Sequence, residues 1–292
     1  MTFLIILLAS VVGGTNTPLV KLNVSFFPPV VVAFLRFFIA LIFIMLFFLF
    51  KKFKLKSPTR NLIVINALFA ANILIFVYAI GKTSIIAAQV LYLLTAVFVA
   101  ILGYLILNEK LIKSQIVGLL IAIAGLFILI ASSVSKNDIM STGTPLGNIL
   151  TFIAVIDWSL YVVYSRKLSK EFSPLEITIY NFATTAIISF VFVLFGLTHN
   201  LSYLNNLSAE KILSVLAMAF FSTVSFFFLY QWVIKHTSAF ISTMVNYFAT
   251  ACAAIVGVVF FHESFTIYLL TGIILIVFGA YLSSVKSLRI TN

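Results

Sequence analysis

Apolar residues fill this chain in long solid runs, separated by short stretches that hold nearly all of its charge. Ten of the runs reach the roughly 17–25 helical residues that a hydrocarbon core requires. They fall near Thr2–Val20, Pro29–Phe50, Asn61–Ile80, Ile85–Leu107 and Ser114–Ser132, then Leu146–Tyr164, Leu175–Leu197, Ile212–Val233, Ala239–Phe261 and Phe265–Val285. Because apolar residues are continuous rather than alternating, the runs predict helices and not the strands of a barrel. The first run has no basic flank and contains Asn16 and Pro18, so it reads as a mature helix rather than a signal peptide.

The polar punctuation repeats. Gly103, Glu109, Gly118 and Gly125 recur 154 residues later as Gly257, Glu263, Gly272 and Gly279. Earlier in each half, Lys21, Phe27, Pro29 and Phe37 recur 145 residues later as Arg166, Phe172, Pro174 and Phe182. A period of that length over apolar helices predicts two copies of one unit, residues 1–133 and 146–292, joined by a connector at 134–145. Five spans per copy is an odd number, so the second copy must enter the membrane from the opposite side. The fold expected is an all-α integral membrane protein of ten transmembrane helices in two inverted five-helix repeats.

Composition agrees. Hydrophobic residues make up 63% of the chain and charged ones 9%, with a mean hydropathy of +1.24; a soluble domain carries roughly 25% charge. The net charge of +11 does not form a nucleic-acid-binding face, because the basic residues sit in loops. With the N-terminus inside, the inner loops collect thirteen of them: Lys51, Lys52, Lys54, Lys56, Arg60, Lys110, Lys113, Arg166, Lys167, Lys170, Lys235, Lys286 and Arg289. The outer loops hold four, Lys21, Lys82, Lys136 and Lys211. That asymmetry places both termini in the cytoplasm of a cell (inner or plasma) membrane. The single cysteine, Cys252, excludes an intrachain disulfide.

Several short motifs, in order and duplicated, resemble the EamA-like branch of the drug/metabolite transporter superfamily over nearly the whole chain. Gly14-Thr15-Asn16-Thr17-Pro18 followed by Lys21 is similar to that family's first-helix signature, with Gly13 where the family has Trp. Arg36-Phe37 fits its second-helix pair, and Asn108-Glu109-Lys110-Leu111 its glutamate motif, with Gly118 and Gly125 following. The resemblance implies a central cavity that moves small metabolites such as amino acids by alternating access.

Polar residues inside the spans mark the candidate site, since ionisable groups in lipid are costly and face a cavity or a partner. Asp157 lies about 17 Å into the sixth span at 1.5 Å per residue. It can take up a proton, bind a substrate amine, or serve as a structural partner. Arg36 can hold a substrate carboxylate with its forked guanidinium, pair with Asp157, or snorkel outward. Asn16, Tyr78, Gln89, Tyr92, Trp158, Tyr161, Gln231 and Asn246 supply further amide and aromatic groups for substrate contact, with packing as the alternative for each. Asn16 and Tyr161 are repeat partners, as are Tyr92 and Asn246, whereas Arg36 answers to Asn181. The repeated glycines are expected to allow close helix packing. Glu109 and Glu263 are expected to meet the dipole of the helix that follows each of them.

No nucleotide-binding, HExxH or Cys/His metal motif occurs, so neither an enzyme nor a cofactor nor a metal is expected. The reading is a secondary transporter, an exporter of amino acids or related small metabolites. Its partners are the substrate, membrane lipid and a proton or another coupling ion. An importer or exchanger on the same fold is the alternative, with a membrane enzyme or sensor behind it.

Overall fold

A computed structural model of the chain describes residues 2–48, 55–134, 144–196 and 207–261, and positions 267, 270–272, 274–275, 278–279 and 282 beyond them. Every regular element among the described residues is helical. In chain order they are α1 (Thr2–Gly14), α2 (Asn16–Phe26), α3 (Pro29–Phe48), α4 (Arg60–Ile80), α5 (Ile85–Leu93), α6 (Thr95–Leu107) and α7 (Lys113–Val134). The second half contributes α8 (Pro145–Leu168), α9 (Pro174–Gly196), α10 (Ala209–Ala217), a π-helical stretch (Met218–Ser225), α11 (Phe226–His236), α12 (Ala239–Ser242) and α13 (Met244–Phe261). Seven segments among the described residues are long and apolar enough to cross a membrane: Thr2–Phe26, Pro29–Leu46, Arg60–Ile80, Ile85–Leu107, Pro145–Leu168, Pro174–Phe195 and Ala209–His236. Lys113–Gly125 and Ala239–Ala253 form shorter apolar helices. The tenth expected run falls mostly outside the described residues, as do Glu263 and most of the connector.

Capping fixes where the helices start. Thr59, Ser84, Thr144, Ser208 and Ser238 each accept, through the side-chain oxygen, the backbone N–H three residues on, satisfying a donor that the first turn leaves open. At α9, Ser173 and Glu176 cap one another's backbone N–H, at 3.2 and 2.8 Å, a reciprocal capping box. The first span is broken at Thr15. Pro18 has no N–H to give the Gly14 carbonyl, and Thr15 Oγ1 turns back to the Val12 carbonyl at 2.7 Å.

The described helices pack around a shared interior. α4 lies along α8, α3 along α9 and α1 along α13, with α1 also touching α11 and α5 and α6 touching α8. Phe37, Phe69, Phe182, Phe227, Trp158 and Tyr161 form a continuous ring cluster, with centroid separations such as 5.2 Å for Phe37–Phe182 and 4.9 Å for Phe69–Phe227. In lipid such contacts act through close packing rather than water exclusion. Small residues permit the tightest seams. A Cβ on Gly14 would meet the Cys252 Cβ at 2.4 Å, and one on Gly279 would meet the Gly118 carbonyl at 2.5 Å. Leu4, Met45, Leu105 and Phe195 lie on the outside and are two-thirds exposed or more, an apolar girdle that suits hydrocarbon.

Candidate functional site

The interior cavity has a volume of about 50 Å³, room for a few water molecules. Its wall is built by Gly13, Asn16 and Thr17 at the α1–α2 break, Asn72, Ile73 and Phe76 of α4, Gln89 and Tyr92 of α5, Trp158 of α8, Phe226 and Phe227 of α11, and Asn246 and Ala249 of α13. Five of the expected residues therefore face it together: Asn16, Gln89, Tyr92, Trp158 and Asn246. No ionised side chain among the described residues does.

Hydrogen bonds decide which polar edges remain free. Gln89 Nε2 donates to Thr17 Oγ1 at 2.7 Å, and its Oε1 accepts from Thr250 at 3.4 Å. Asn72 Nδ2 donates to the Ala154 carbonyl at 2.6 Å and to the Tyr92 hydroxyl at 3.4 Å, leaving the phenolic proton available. Asn246 Nδ2 is buried without a partner.

Three expected residues form a layer behind the wall. Tyr161 stacks on Trp158 with centroids 4.9 Å apart, and its hydroxyl accepts from Gln231 Nε2 and from Asn181 Nδ2. Ser165 donates to Gln231 Oε1 at 3.0 Å. Arg36 is fully buried and donates to Thr223 Oγ1, Asn16 Oδ1 and the Ser222 carbonyl at 2.7, 2.7 and 2.8 Å. Ser222 and Thr223 belong to the π-helical stretch, where Thr223 Oγ1 also reaches the Met218 carbonyl five residues back. Such widened turns arise where a side chain enters the backbone ladder. The run Ser222-Thr223-Val224-Ser225 inside an apolar helix was the available signal for it, and the hydrophobic pattern alone does not register it.

The structure sets Tyr78 and Asp157 apart from the other candidates. Tyr78 stands outside the cavity, 47% exposed, with Lys82 Nζ 5.1 Å from its ring centre. It lies two residues beyond Phe76 on α4, and therefore on another face of that helix. Arg36 and Asp157 form no ion pair: every hydrogen-bond partner of Arg36 is neutral, and Asp157 Oδ2 is buried without a partner among the described residues. Asp157 is half-buried on α8 beside Trp158 and does not itself line the cavity.

The two ends of the bundle are tied differently. At the end where α6 and α8 finish, Glu109 accepts the Ala239 N–H at 3.0 Å, and Arg166 Nε lies 3.7 Å from its carboxylate. Arg166 also donates to the Ile234 and Lys235 carbonyls. Glu109 thus caps α12 rather than the helix that follows it, because Gln115 Oε1 already accepts the Ile112 N–H at the start of α7. Asn108, at φ 56°, turns the chain off α6 just before it. Burial holds the Glu109 carboxyl above its ordinary value, with Arg166 pulling the other way. At the opposite end the Lys82 carbonyl accepts from the Thr144 N–H and hydroxyl, and Thr83 donates to Asn148 Oδ1 at 2.6 Å.

Comparison with known proteins decides the lineage. The model of the EamA-like transporter family matches residues 1–131 and again 145–285. The chain belongs to that family. An uncharacterized transporter of Clostridium kluyveri is 26% identical over 240 residues, spanning 80% of this chain and 75% of that one. A probable amino-acid metabolite efflux pump of Salmonella typhimurium is 25% identical over 290 residues, 95% of this chain and 92% of that one. A crystal structure at 18% identity superposes with a TM-score of 0.74 over 97% of this chain and 98% of that one, which establishes likeness of fold. This EamA-like protein is a multi-pass membrane transporter and not an enzyme.

Proposed function

We propose that this EamA-like protein is a secondary transporter that exports amino acids or related small metabolites by alternating access, on ten spans arranged as two inverted repeats. The observation that carries the reading is the make-up of the cavity wall. Gly13 and Trp158 are related by the 145-residue offset, and Asn72 and Phe226, Ile73 and Phe227, and Tyr92 and Asn246 by the 154-residue offset. These pairs support two repeats contributing equivalent positions to a shared chamber, as a carrier with two opposed gates requires. Packing supports the same relation. Phe37 and Phe182, repeat partners, touch one another, and Ser84 and Ser238, 154 residues apart, cap equivalent helices.

Amino-acid export rests on the name of the Salmonella relative and on a chamber lined by amide and aromatic groups. Asn16, Gln89, Tyr92, Trp158 and Asn246 are proposed to touch substrate. Arg36, Tyr161 and Gln231 position them, and Asp157 is proposed as the protonatable or cation-binding group of the cycle. The termini are proposed to lie in the cytoplasm, which reporter fusions at Asn292 and Pro58 test. The function itself is tested with purified protein in liposomes preloaded with an unlabelled amino-acid mixture. Counterflow of labelled amino acids is expected, and its absence for every amino acid, with the protein folded, refutes the reading.

A further inference from the structure

Arg36 carries a charge that no described residue neutralises. Its guanidinium, permanently protonated, is 0% exposed. Among the described residues it bonds only to neutral groups and makes no ion pair, and Nη1 has no partner. The rings of Phe37 and Phe227 flank it at 5.3 and 5.5 Å, and Phe227 is also a wall of the cavity. A buried cation in lipid is expensive unless an anion joins it.

The second half of the molecule argues that structure alone does not require the charge. Arg36 Nη2 donates to Asn16 Oδ1 at 2.7 Å, and the repeat-related pair does the same: Asn181 Nδ2 donates to Tyr161 Oη at 2.6 Å. A neutral amide therefore completes the equivalent bond between equivalent helices. Arg36 adds only a positive charge and spare donors, and it does so beside the chamber.

The free edges of the chamber match. Arg36 can only donate, so Asn16 must turn Oδ1 toward it, which leaves Asn16 Nδ2 without a described partner. The Tyr92 proton is unspent because its oxygen is the group that accepts from Asn72. Asn246 Nδ2 is the third unpaired donor. Three neutral donors backed by a guanidinium form the surroundings that a carboxylate seeks.

We propose that the chamber is a carboxylate-binding site, in which Arg36 supplies the charge and Asn16, Tyr92 and Asn246 supply the hydrogen bonds. This rests on the reading of the cavity as the substrate site and narrows its substrates to compounds bearing a carboxylate. Amino acids and plain organic acids share that group.

The chain has two tryptophans, Trp158 in the wall and Trp232 elsewhere on α11. A W232F protein in detergent therefore reports the chamber through Trp158 fluorescence, alongside thermal melting. Acetate and propionate are titrated against acetamide and propionamide at fixed chloride, since each pair has equal size and differs in charge. The acids are expected to bind about tenfold tighter, the difference between charged and neutral hydrogen bonds. Arg36→Lys should keep the preference and Arg36→Gln should abolish it. Equal binding of acid and amide, no response to the acids, or an undiminished preference in Arg36→Gln overturns the proposal. If Arg36→Gln fails to fold, the acid–amide comparison in W232F still decides it, and Tyr92→Phe should weaken acid but not amide binding. Leucine against 4-methylpentanoate then separates amino acids from plain acids. Acid binding without amino-acid counterflow in liposomes would refute the transport reading alone and leave the site standing.

Discussion

The seam between α1 and α13 offers a sharp test of the packing that shapes the chamber. Gly14 has no side chain, and a Cβ built there lies 2.4 Å from the Cys252 Cβ, 3.1 Å from the Ala249 carbonyl and 3.3 Å from the Ala253 nitrogen. Carbon atoms in ordinary contact sit about 3.5–4.0 Å apart, so Gly14→Ala has to push the two helices apart by roughly an ångström. Overpacking of this kind costs about 1–3 kcal/mol. Melting of the purified protein should fall accordingly. The partner variants make the test specific. Cys252→Gly removes the atom that clashes, whereas Cys252→Ala keeps it. Gly14→Ala should therefore be partly rescued by Cys252→Gly, with a favourable coupling of about 1 kcal/mol, and not by Cys252→Ala. Rescue is partial because the Ala249 carbonyl remains close. The same seam holds Asn16 opposite Asn246 and Ala249, so Gly14→Ala should also weaken transport. If Gly14→Ala melts with the wild type, or both cysteine variants rescue it equally, the close approach of α1 and α13 is refuted.

Other expectations concern the site and its ends. Alanine at Tyr92 should weaken transport while leaving membrane abundance near normal. Trp158→Phe should do the same; normal flux in both would make these rings packing only. Asp157→Asn removes titration at nearly constant size, so a proton-coupled carrier should lose pH-dependent accumulation yet retain downhill exchange. Unchanged pH dependence would make Asp157 structural. Burial raises the Glu109 carboxyl above the ordinary 4.5, so its ionised form disfavours the folded state. That contribution vanishes below the ordinary value and grows as pH rises through the raised one. Glu109→Gln should therefore flatten the decline of melting temperature over that range, and an unaltered profile would remove Glu109 as its source.

Much of the architecture was legible because membrane spans announce themselves by unbroken apolarity. Runs such as Asn61–Ile80 and Ile85–Leu107 match Arg60–Ile80 and Ile85–Leu107 closely, since Thr59 and Ser84 cap them and Asn108 ends the second. The first span runs on to Phe26 rather than Val20. The polar stretch Lys21–Ser25 ends an apolar run without ending a helix, because Asn23 satisfies itself on the Leu19 and Ser214 carbonyls. Polarity alone therefore locates where lipid ends and not where the helix does. Within the site, Asn16, Gln89, Tyr92, Trp158 and Asn246 stood out as polar or amphipathic groups in apolar surroundings. Asn72 is of the same kind, and Phe226 answers to it in the second half. Tyr78 is the opposite case. Its residue type fits a site, but its position on α4 is set by a helical phase that residue type does not encode.

The ties at the two ends bear on how such a chamber is reached. One end is held by Glu109, Arg166 and the start of α12, joining the first half to the second across residues far apart in sequence. The other is held by Lys82, Thr83, Thr144 and Asn148, again across the halves. A chamber of about 50 Å³ is smaller than the pockets of about 300 Å³ or more that hold small molecules. On the proposed alternating access, substrate entry therefore requires α4, α8 and the α12 corner to part at one end while the other holds. Neutral hydrogen bonds of this kind contribute about 0.5–1.5 kcal/mol each. Each tie is then weak enough to break within the few kcal/mol that separate interconverting states. A carboxylate that lowers the cost of the Arg36 charge would enter that balance directly, since Arg36 links α3, the α1–α2 break and the π-helical stretch in one set of bonds.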